Sequence, residues 1–282
     1  MTITAKVIAD SVAEGTGIRL LTFELRYPRF IHSEFMTHRV FSRNASSSRA
    51  IPVKRLLAAV RQDMAEPVSW GKNQPGMQAR EDLTGWRLTA ARLLWRSAGH
   101  TACAFASLAA ALGAHKQIVN RLIEPWSHIT VVVTGTEWSN FFALRDHKDA
   151  DPTIAELASQ MRTAMRNSRP KLLRPGQWHL PYCSVEEKII GESGVYDWIE
   201  PGVIKQDVKR ASAARCARTS YLTHDGETPD IAKDLGLFQR LAGATPQHLS
   251  PTEHQATPSG DENFHANFRG WVQFRKEVDH AA

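Results

Sequence analysis

Short, mostly apolar runs bounded by turn residues predict β-strands in the first and middle parts of the chain. Residues 4–10 and 19–26 are two such runs, with Gly15 and Gly17 between them, so we expect the two strands to form a hairpin. Residues 128–136 are rich in β-branched side chains, which pack well on a pleated surface. They predict a third strand.

Apolar residues spaced three or four positions apart predict helices in much of the remaining chain. The predicted helices cover residues 30–39, 53–65, 83–112, 115–123, 152–165, 206–221, 229–242 and 264–278, with a break expected at Gly113. Asp151 and Pro152 have the residue types of an N-cap and a first helical position. Residues 102–112 are small or apolar, so we expect that part of its helix to be buried. The stretches predicted as loops or connections are 42–48, 66–80 and 168–206.

The composition is that of an ordinary globular protein with a modest excess of positive charge. The 282 residues include 35 Lys and Arg against 29 Asp and Glu, which gives a formal net charge of +6. This excess suggests an anionic partner, either a nucleic acid or a small phosphorylated ligand. A collagen, a coiled coil and a largely disordered chain are excluded.

The cysteines and the apolar runs predict a cytoplasmic protein that does not enter a membrane. Cys103, Cys183 and Cys216 are far apart in sequence, which fits a reducing compartment and disfavours a zinc–thiolate site. The first residues lack the pattern of a signal peptide. The longest mostly apolar run, residues 102–112, is too short to cross a bilayer.

The strongest signal for binding chemistry is a basic, hydroxyl-rich segment between Arg39 and Arg55. It contains five Lys or Arg residues and no acidic residue, and Ser42, Asn44 and the serines at 46–48 are interleaved with them. Backbone N–H groups, hydroxyls and bidentate arginines together suit phosphate oxygens. A solvated basic loop without a ligand explains the composition equally well, so this alternative stays open.

Two more arginines are candidates for anion binding. Arg145 follows an apolar run, where an unpaired guanidinium is costly, so it requires a carboxylate or an anionic ligand. The internal alternatives are salt bridges with Asp146 or Glu137. Arg121 by itself indicates no more than a surface pair with Glu124.

The histidines near the end of the chain do not favour a metal site. His248, Glu253 and His254 lack the spacing of a helical ligand pair, and Pro251 interrupts a helix between the two histidines. We therefore predict that no metal is bound. No motif marks a cysteine or serine nucleophile.

The segment His38-Arg39-x7-Ser47 resembles the R-H-R-x7-S signature of the flavin-dependent thymidylate synthases. Thr37 stands where the signature has its first arginine, and Ala45 stands where the family has a glutamate. Both departures fall at positions that the resemblance implies for flavin and nucleotide contacts.

Further stretches resemble other elements of the same family. Residues 22–25 resemble the strand before the signature, and residues 113–125 resemble its Gly…Ala-Arg-x-x-Leu-Pro helix. Residues 140–145 resemble its Asn-Phe-Leu-x-Leu-Arg element. The Gln-x-Glu that follows in the family is replaced here by residues 151–153, Asp-Pro-Thr, which suit a rebuilt helix cap.

The order of two family elements is changed in this chain. Residues 217–221 resemble an Ala-Arg-Val-Ser-Tyr element and residues 248–254 a His-x-Ser-Pro-Phe-Glu-His element, which precede the signature in the family. Here they follow it, as in a circular permutation. We therefore expect one domain over residues 1–282, in which 208–258 form a permuted helical segment and 168–206 form the new connection.

The resemblance implies an α+β fold with an antiparallel sheet, flanking helices and a site shared between the subunits of a homotetramer. It implies that the enzyme binds FAD and dUMP and transfers a one-carbon unit from methylenetetrahydrofolate to uracil C5, with NADPH reducing the flavin. The protein then supplies position and electrostatic field, while the cofactor carries the difficult chemistry.

The resemblance also implies roles for individual residues. The residues implied to bind the nucleotide are Glu34, Ser46, Ser47, Ser48, Arg49, Arg121 and Arg145. The residues implied to lie against FAD are Thr37, His38, Arg39, Asn140, Ser220 and His254. Arg145 is also the implied catalytic residue, because it would face the uracil and favour its N3-ionised form, which makes C5 more nucleophilic.

Two other functions stay open. A divergent relative with the same site would hydroxymethylate a pyrimidine deoxynucleotide, dUMP or dCMP, and the changes at Thr37 and Ala45 leave room for this reaction. A nucleic-acid-binding protein is a more distant alternative. It is disfavoured because its cations would form an extended stripe with stacking aromatic residues, whereas here they cluster in one segment.

Overall fold

A five-stranded sheet organises the protein, whose structure is a computed structural model that describes residues 3–183, 189–191, 194–196, 206–221 and 230–279. Its strands are β1 (Thr4–Ala13), β2 (Arg19–Pro28), β3 (Ser42–Ala45), β4 (His128–Gly135) and β5 (Lys171–Leu173). Their order across the sheet is β3-β4-β2-β1-β5. All neighbours pair antiparallel except β1 and β5, which are parallel.

Helices and short strands surround this sheet. The helices are α1 (His32–Met36), α2 (Val53–Gln62), α3 (Gly85–Ala111), α4 (Lys116–Val119), α5 (Ser139–Arg145), α6 (Pro152–Asn167), α7 (Gln206–Tyr221), α8 (Ile231–Ala242) and α9 (Arg275–Asp279). The 3-10 segments are Arg29–Ile31, Asn120–Trp126 and Ser250–Glu253. The remaining strands are β6 (Ile189–Gly191), β7 (Gly194–Tyr196), β8 (Ala256–Pro258), β9 (Phe264–His265), β10 (Phe268–Arg269) and β11 (Trp271–Gln273). No helix in the described ranges is long and apolar enough to cross a membrane.

The three strands predicted from the sequence are confirmed as β1, β2 and β4. The connection between β1 and β2 contains Gly15 and Gly17 with φ of 88° and 68°, a conformation that glycine adopts without steric cost. The mixed α+β class and the antiparallel sheet with flanking helices are also confirmed.

The main hydrophobic core lies on one face of the sheet. Leu21, Phe23, Leu25 and Tyr27 alternate along β2 and are fully buried there, together with apolar residues of β4, α5 and α6. Because successive side chains of a strand point to opposite faces, the residues between them lie on the other face. That second face is covered by α7 and the 3-10 segment Ser250–Glu253.

The N-cap predicted at Asp151 is confirmed. Its carboxylate accepts hydrogen bonds from the backbone N–H groups of Thr153 at 2.8 Å and Ile154 at 3.3 Å, and Pro152 occupies the first helical position. These bonds satisfy two N–H groups that have no partner within α6.

Replacing Asp151 with alanine should lower the free energy of unfolding by about 1 kcal/mol. For a chain of this size we expect a fall in Tm of roughly 2–4 °C, measurable by thermal unfolding. Asp151→Ser restores a capping oxygen and should recover most of the loss. An equal loss in both variants would contradict the capping role.

Two secondary-structure predictions are wrong. Residues 42–45, predicted as a loop, form β3 and pair with residues 131–134 of β4, because the edge of β4 offers unpaired backbone groups that outweigh a weak local preference. Residues 264–278, predicted as a helix, contain β9, β10, β11 and only the short α9. Positive φ values at Ala266 (58°) and Gly270 (72°) turn the chain there instead.

The predicted burial of residues 102–112 is also wrong. α3 packs inward with Gly99, Cys103 and Ala106, while Phe105 and Leu108 lie on its outer side and are each 62% exposed. Apolar residues occur around most of the circumference of this helix. Its composition alone therefore does not tell which side faces the core.

The predicted connection at 168–206 contributes to the fold in its described part. Residues 171–173 add β5 beside β1, and the side chain of His179 is buried against the sheet. The predicted helices at 206–221 and 229–242 are present as α7 and α8, which pack against each other.

Candidate functional site

Four of the predicted site residues meet in one hydrogen-bonded cluster. Arg145, at the end of α5, donates from Nη1 to Glu34 Oε2 at 3.0 Å and from Nε to His38 Nε2 at 3.0 Å. Its Nη2 donates to Thr37 Oγ1 at 3.3 Å. Glu34 lies in α1, and Thr37 and His38 follow that helix directly, so α1 and α5 assemble the cluster. We call these four residues the arginine cluster.

Aromatic packing fixes the position of this cluster. The His38 ring stacks on Phe41 and meets the edge of Phe141, with ring centroids 6.2 Å and 4.9 Å apart. Arg43 donates to the carbonyls of Met36 and His38 at 3.1 Å and 3.0 Å, which ties down the end of α1. The cluster therefore rests on a rigid aromatic support at the edge of the main core.

His38 is neutral in this arrangement. Because a guanidinium can only donate, the 3.0 Å contact requires His38 Nε2 to be an acceptor and places the ring proton on Nδ1. Burial lowers the pKa of His38, and the positive charges of Arg145 and Arg43 lower it further.

The guanidinium of Arg145 retains capacity for a ligand. It carries five N–H donors, of which three are used within the arginine cluster, so one on each terminal nitrogen remains. Glu34 balances the charge of Arg145, with its side chain 40% exposed. The arginine cluster thus presents two unused N–H donors of Arg145 beside the partly exposed carboxylate of Glu34.

The internal salt bridges considered for Arg145 are absent from the described residues. Asp146 pairs instead with Arg162 at 2.6 Å, and Glu137 pairs with Arg269 at 2.9 Å. The partner of Arg145 is Glu34. This ion pair could not be predicted from neighbouring residues, because Glu34 lies 111 positions away in the sequence.

The serines predicted to hold a nucleotide differ in their surroundings. Ser46 continues the pairing of β3, since its N–H donates to the Thr130 carbonyl at 2.8 Å and its Oγ accepts from the Thr130 N–H at 3.1 Å. Ser48 donates a short hydrogen bond to Glu124, and Asn120 donates to the Ser48 carbonyl at 2.7 Å. Both serines are buried, so their hydroxyls help to hold the loop in place.

Ser47 and Arg49 are the more open members of this loop. Ser47 is half-buried and Arg49 is exposed. Arg121 is also mostly exposed, and its Nη1 lies 3.9 Å from Glu124 Oε2. This is the surface pair that the sequence by itself predicts for Arg121. Arg49 and Arg121 therefore place positive charge at the surface beside this loop. The buried side chain of Asn120 holds the loop by donating to the carbonyls of Ser48 and Ile51.

The residues predicted to contact FAD fall into two groups. Thr37, Arg39 and Asn140 are exposed, at the end of α1 and the start of α5, and His38 lies beside them. Ser220 lies in the last turn of α7, and its side chain is outside the described part of the structure. His254 is fully buried, and the structure does not bring it to the arginine cluster.

His254 belongs to a buried chain of hydrogen bonds on the second face of the sheet. The amide nitrogen of Asn44 donates to His254 Nε2 at 3.2 Å, so His254 carries its proton on Nδ1 and donates to Thr134 Oγ1 at 2.8 Å. Thr134 then donates to Thr22 at 2.8 Å, and Thr22 donates to His179 Nε2 at 2.8 Å. All donors therefore run in one direction.

The chain ends where His179 Nδ1 donates to Ser11 Oγ at 2.9 Å. Burial lowers the pKa of His179 to about 3, with a smaller effect from His254, and burial lowers the pKa of His254 to about 3. We call this hydrogen-bonded series the buried histidine chain. Its six members are Ser11, Thr22, Asn44, Thr134, His179 and His254.

Sequence reasoning missed most of the buried histidine chain. Thr22 and Thr134 are polar residues inside apolar strands, and both are fully buried. A single polar residue inside an apolar strand indicates that a polar partner is buried next to it. No pattern in the sequence indicates that His179 is such a partner, because it lies in a stretch that was predicted to be a connection.

Comparisons with known proteins agree with the fold. The model of the family described as Thy1, thymidylate synthase complementing protein, matches residues 11–171, more than half of the chain. No curated protein sequence matches the chain.

Solved structures are similar to the chain at low sequence identity. The UMP/dUMP methylase PolB from Streptomyces cacaoi bound with 5-Br dUMP is 16% identical, with a TM-score of 0.50 over 58% of this chain and 90% of that chain. The same methylase bound with 5-Br UMP is 18% identical, with a TM-score of 0.44 over 58% of this chain and 88% of that chain. At such identity the first similarity shows a common fold.

Proposed function

Because the chain belongs to the family of thymidylate synthase complementing proteins, we propose that it is a flavin-dependent enzyme that modifies a uridine nucleotide. The proposed reaction transfers a one-carbon unit from methylenetetrahydrofolate to C5 of dUMP and yields dTMP. NADPH would reduce the bound FAD, and the similarity to a UMP/dUMP methylase is in keeping with a uridine nucleotide as substrate.

One observation carries this proposal. Residues from two separate sequence motifs, at 34–38 and at 145, meet in the arginine cluster. A guanidinium with two remaining donors next to a carboxylate matches the edge of uracil, whose carbonyl oxygens accept and whose N3–H donates. Arg145 would bind a carbonyl oxygen of the base, and Glu34 would accept the N3–H.

The ion pair in the arginine cluster also bears on catalysis. Arg145 would stabilise negative charge on the uracil carbonyl oxygen before C5 attacks, which makes C5 more nucleophilic, and such a fixed positive charge typically contributes several kcal/mol in a dry site. Glu34 lies 3.0 Å from the same guanidinium and opposes full ionisation at N3. Arg145 therefore acts mainly on the partial negative charge that the carbonyl oxygen carries before C5 attacks.

The exposed residues around the arginine cluster fit a flavin. Thr37, Arg39 and Asn140 provide a hydroxyl, a guanidinium and an amide, which suit the phosphates and the ring edges of FAD. The bound flavin would supply the reducing equivalents. His254 does not fit a direct contact within this chain, because it is fully buried and both ring nitrogens are hydrogen-bonded.

Hydroxymethylation of the nucleotide is the second candidate reaction. The observation that favours it is Thr37, which stands in place of the first signature arginine. Thr37 carries no charge that could contact a cofactor, and its hydroxyl is hydrogen-bonded to Arg145 and to the Glu34 carbonyl.

We propose methylation as the main reaction. We also propose that the protein assembles as a homotetramer and that Ser47, Arg49 and Arg121 bind the phosphate of the nucleotide.

Replacing Arg49 with alanine should raise the KM for dUMP by about 10- to 100-fold, with a much smaller effect on kcat. The reason is that an exposed arginine contributes a charge-assisted bond to phosphate in the ground state and the transition state alike. Steady-state kinetics test this, with Lys54→Ala as a matched control, because Lys54 is an exposed cation of the same basic segment. Equal changes in both variants would contradict a specific role for Arg49.

Flavin and nucleotide binding test the proposed site. Purified protein titrated with FAD should gain flavin absorbance that survives gel filtration, and dUMP should then perturb the flavin spectrum. We expect dCMP to cause a smaller perturbation than dUMP, because the cytosine N3 cannot donate to Glu34. Protein that binds no FAD would overturn the proposal.

A further inference from the structure

The side chain of Arg43 holds the backbone on both sides of Thr37. Arg43 lies on β3, and its Nη1 donates to the carbonyls of Met36 at 3.1 Å and His38 at 3.0 Å. Because these two residues flank Thr37, the guanidinium of Arg43 lies against the backbone of that residue. The hydroxyl of the same Thr37 accepts from Arg145 Nη2 at 3.3 Å. A single residue therefore links the guanidinium of Arg43 to that of Arg145.

Arg43 keeps most of its capacity to donate hydrogen bonds. A guanidinium has five N–H donors, and within the part of the chain that the structure describes Arg43 donates from Nη1 alone. The N–H groups of Nε and Nη2 lie on one edge of the guanidinium, where they form a fork that suits two adjacent acceptor atoms. The side chain is only half-buried, so part of it stays accessible to a ligand.

The positive charge around the arginine cluster exceeds the negative charge. Arg43 and Arg145 contribute two positive charges, whereas Glu34 contributes the one carboxylate of the cluster and is bonded to Arg145. The charge of Glu253 also acts on Arg43, but among the described residues the ion-pair partner of Glu253 is Arg275. Burial lowers the pKa of Arg43, which reflects the partial loss of its hydration. A half-buried cation with little compensation favours an anionic ligand.

We propose that Arg43 binds the ring of the flavin cofactor and stabilises its reduced, anionic form; this inference rests on the proposed function. The reaction requires the flavin ring beside the base that Arg145 binds, and Arg43 is linked to Arg145 through Thr37. Hydride transfer from NADPH to FAD yields NADP⁺ and the anionic reduced flavin, whose negative charge lies on N1 and the neighbouring C2 carbonyl oxygen. The fork of Arg43 matches these two adjacent acceptors.

This assignment gives the site a cation although residue 37 has none. Thr37 stands where the family signature has its first arginine, and its hydroxyl donates to the Glu34 carbonyl at 2.7 Å. The guanidinium of Arg43 reaches the same stretch of backbone from β3, a strand whose position is fixed by its pairing with β4. The positive charge is therefore supplied by a strand rather than by the end of α1.

The reduction potential of bound FAD tests this inference in two variants of the same residue. In Arg43→Gln and Arg43→Lys the new side chain can donate to the backbone carbonyls, but only lysine keeps the positive charge. Loss of the charge-assisted bond should weaken the binding of reduced FAD about 10-fold more than that of oxidised FAD, so the midpoint potential of Arg43→Gln should be about 30 mV more negative. Arg43→Lys should keep most of the potential of the unmodified chain.

The matched control is Lys54→Gln, because Lys54 is an exposed cation of the same basic segment, and its potential should not change. Circular dichroism shows whether the variants are folded. Equal potentials in Arg43→Gln and Arg43→Lys, or an equal shift in Lys54→Gln, would overturn the inference.

Two further outcomes separate this inference from its alternatives. The affinity for dUMP, measured by equilibrium dialysis, should change less than about twofold in Arg43→Gln. A loss of dUMP affinity at an unchanged flavin potential would overturn the inference, because Arg43 would then bind the phosphate of the nucleotide. An unmodified chain that binds no FAD would overturn the proposed function as well, whereas flavin-loaded Arg43→Gln with an unchanged potential would overturn this inference alone.

Discussion

Replacing Arg145 with alanine is expected to reduce kcat for dUMP by about 100- to 1,000-fold while FAD remains bound. The removed guanidinium donates to Glu34, Thr37 and His38, and in the proposed reaction it stabilises the negative charge on the uracil that makes C5 nucleophilic. Loss of one such positioned donor typically costs this much in kcat. Single-turnover kinetics with reduced flavin measure the effect directly, and flavin absorbance after gel filtration reports retention of the cofactor.

A control variant distinguishes loss of chemistry from loss of structure. Arg162 anchors the end of the same helix α5, since it pairs with Asp146 at 2.6 Å and donates to the Phe142 carbonyl at 3.2 Å. Arg162→Ala should lower the Tm but keep most of the activity of the folded protein. If Arg162→Ala and Arg145→Ala lose activity equally, the arginine cluster has only a structural role.

Acidification from pH 6 to pH 4 is expected to destabilise the protein by about 5 kcal/mol through His179 and His254. Both have pKa values of about 3 in the folded protein against about 6.5 in the unfolded chain. Between these values the unfolded state binds more protons, so the free energy of unfolding falls by about 1.4 kcal/mol per pH unit for each histidine as the pH falls. This loss is comparable to the entire stability of many domains.

Urea unfolding at pH 7, 6, 5 and 4 tests the acid effect. The physical reason lies in the buried histidine chain: all its donors run in one direction, so a proton added to either histidine would set one donor against another. His179→Gln keeps hydrogen-bonding groups but removes one titration, and the pH slope should fall by about 1.4 kcal/mol per pH unit. An unchanged slope in this variant would contradict the assignment.

The local elements of the fold were predictable where one short-range signal dominates. The hairpin at Gly15 and Gly17, the β-branched strand β4 and the cap at Asp151 each depend on neighbouring residues alone. The short strand β3 was missed because a long-range pairing with β4 creates it. The orientation of α3 was missed for a similar reason, since the elements packed against it decide which apolar side is buried.

The candidate site shows the same division between local and long-range information. The need of Arg145 for an anionic partner follows from its apolar neighbours, but its partner Glu34 is brought close only by the packing of α1 and α5. The resemblance placed His254 on a flavin, whereas within this chain His254 is buried and hydrogen-bonded to Asn44 and Thr134. Its contact with a cofactor therefore stays a prediction that concerns the assembled protein.

Mass analysis of the nucleotide product is the most direct test of the proposed function. Purified protein with FAD, dUMP, methylenetetrahydrofolate and NADPH should convert dUMP to a product heavier by one CH2 group, and omission of FAD should abolish the conversion. A product heavier by CH2O would identify the hydroxymethylation reaction instead. Unchanged dUMP in the presence of flavin-loaded protein would contradict the proposal that this chain modifies a uridine nucleotide.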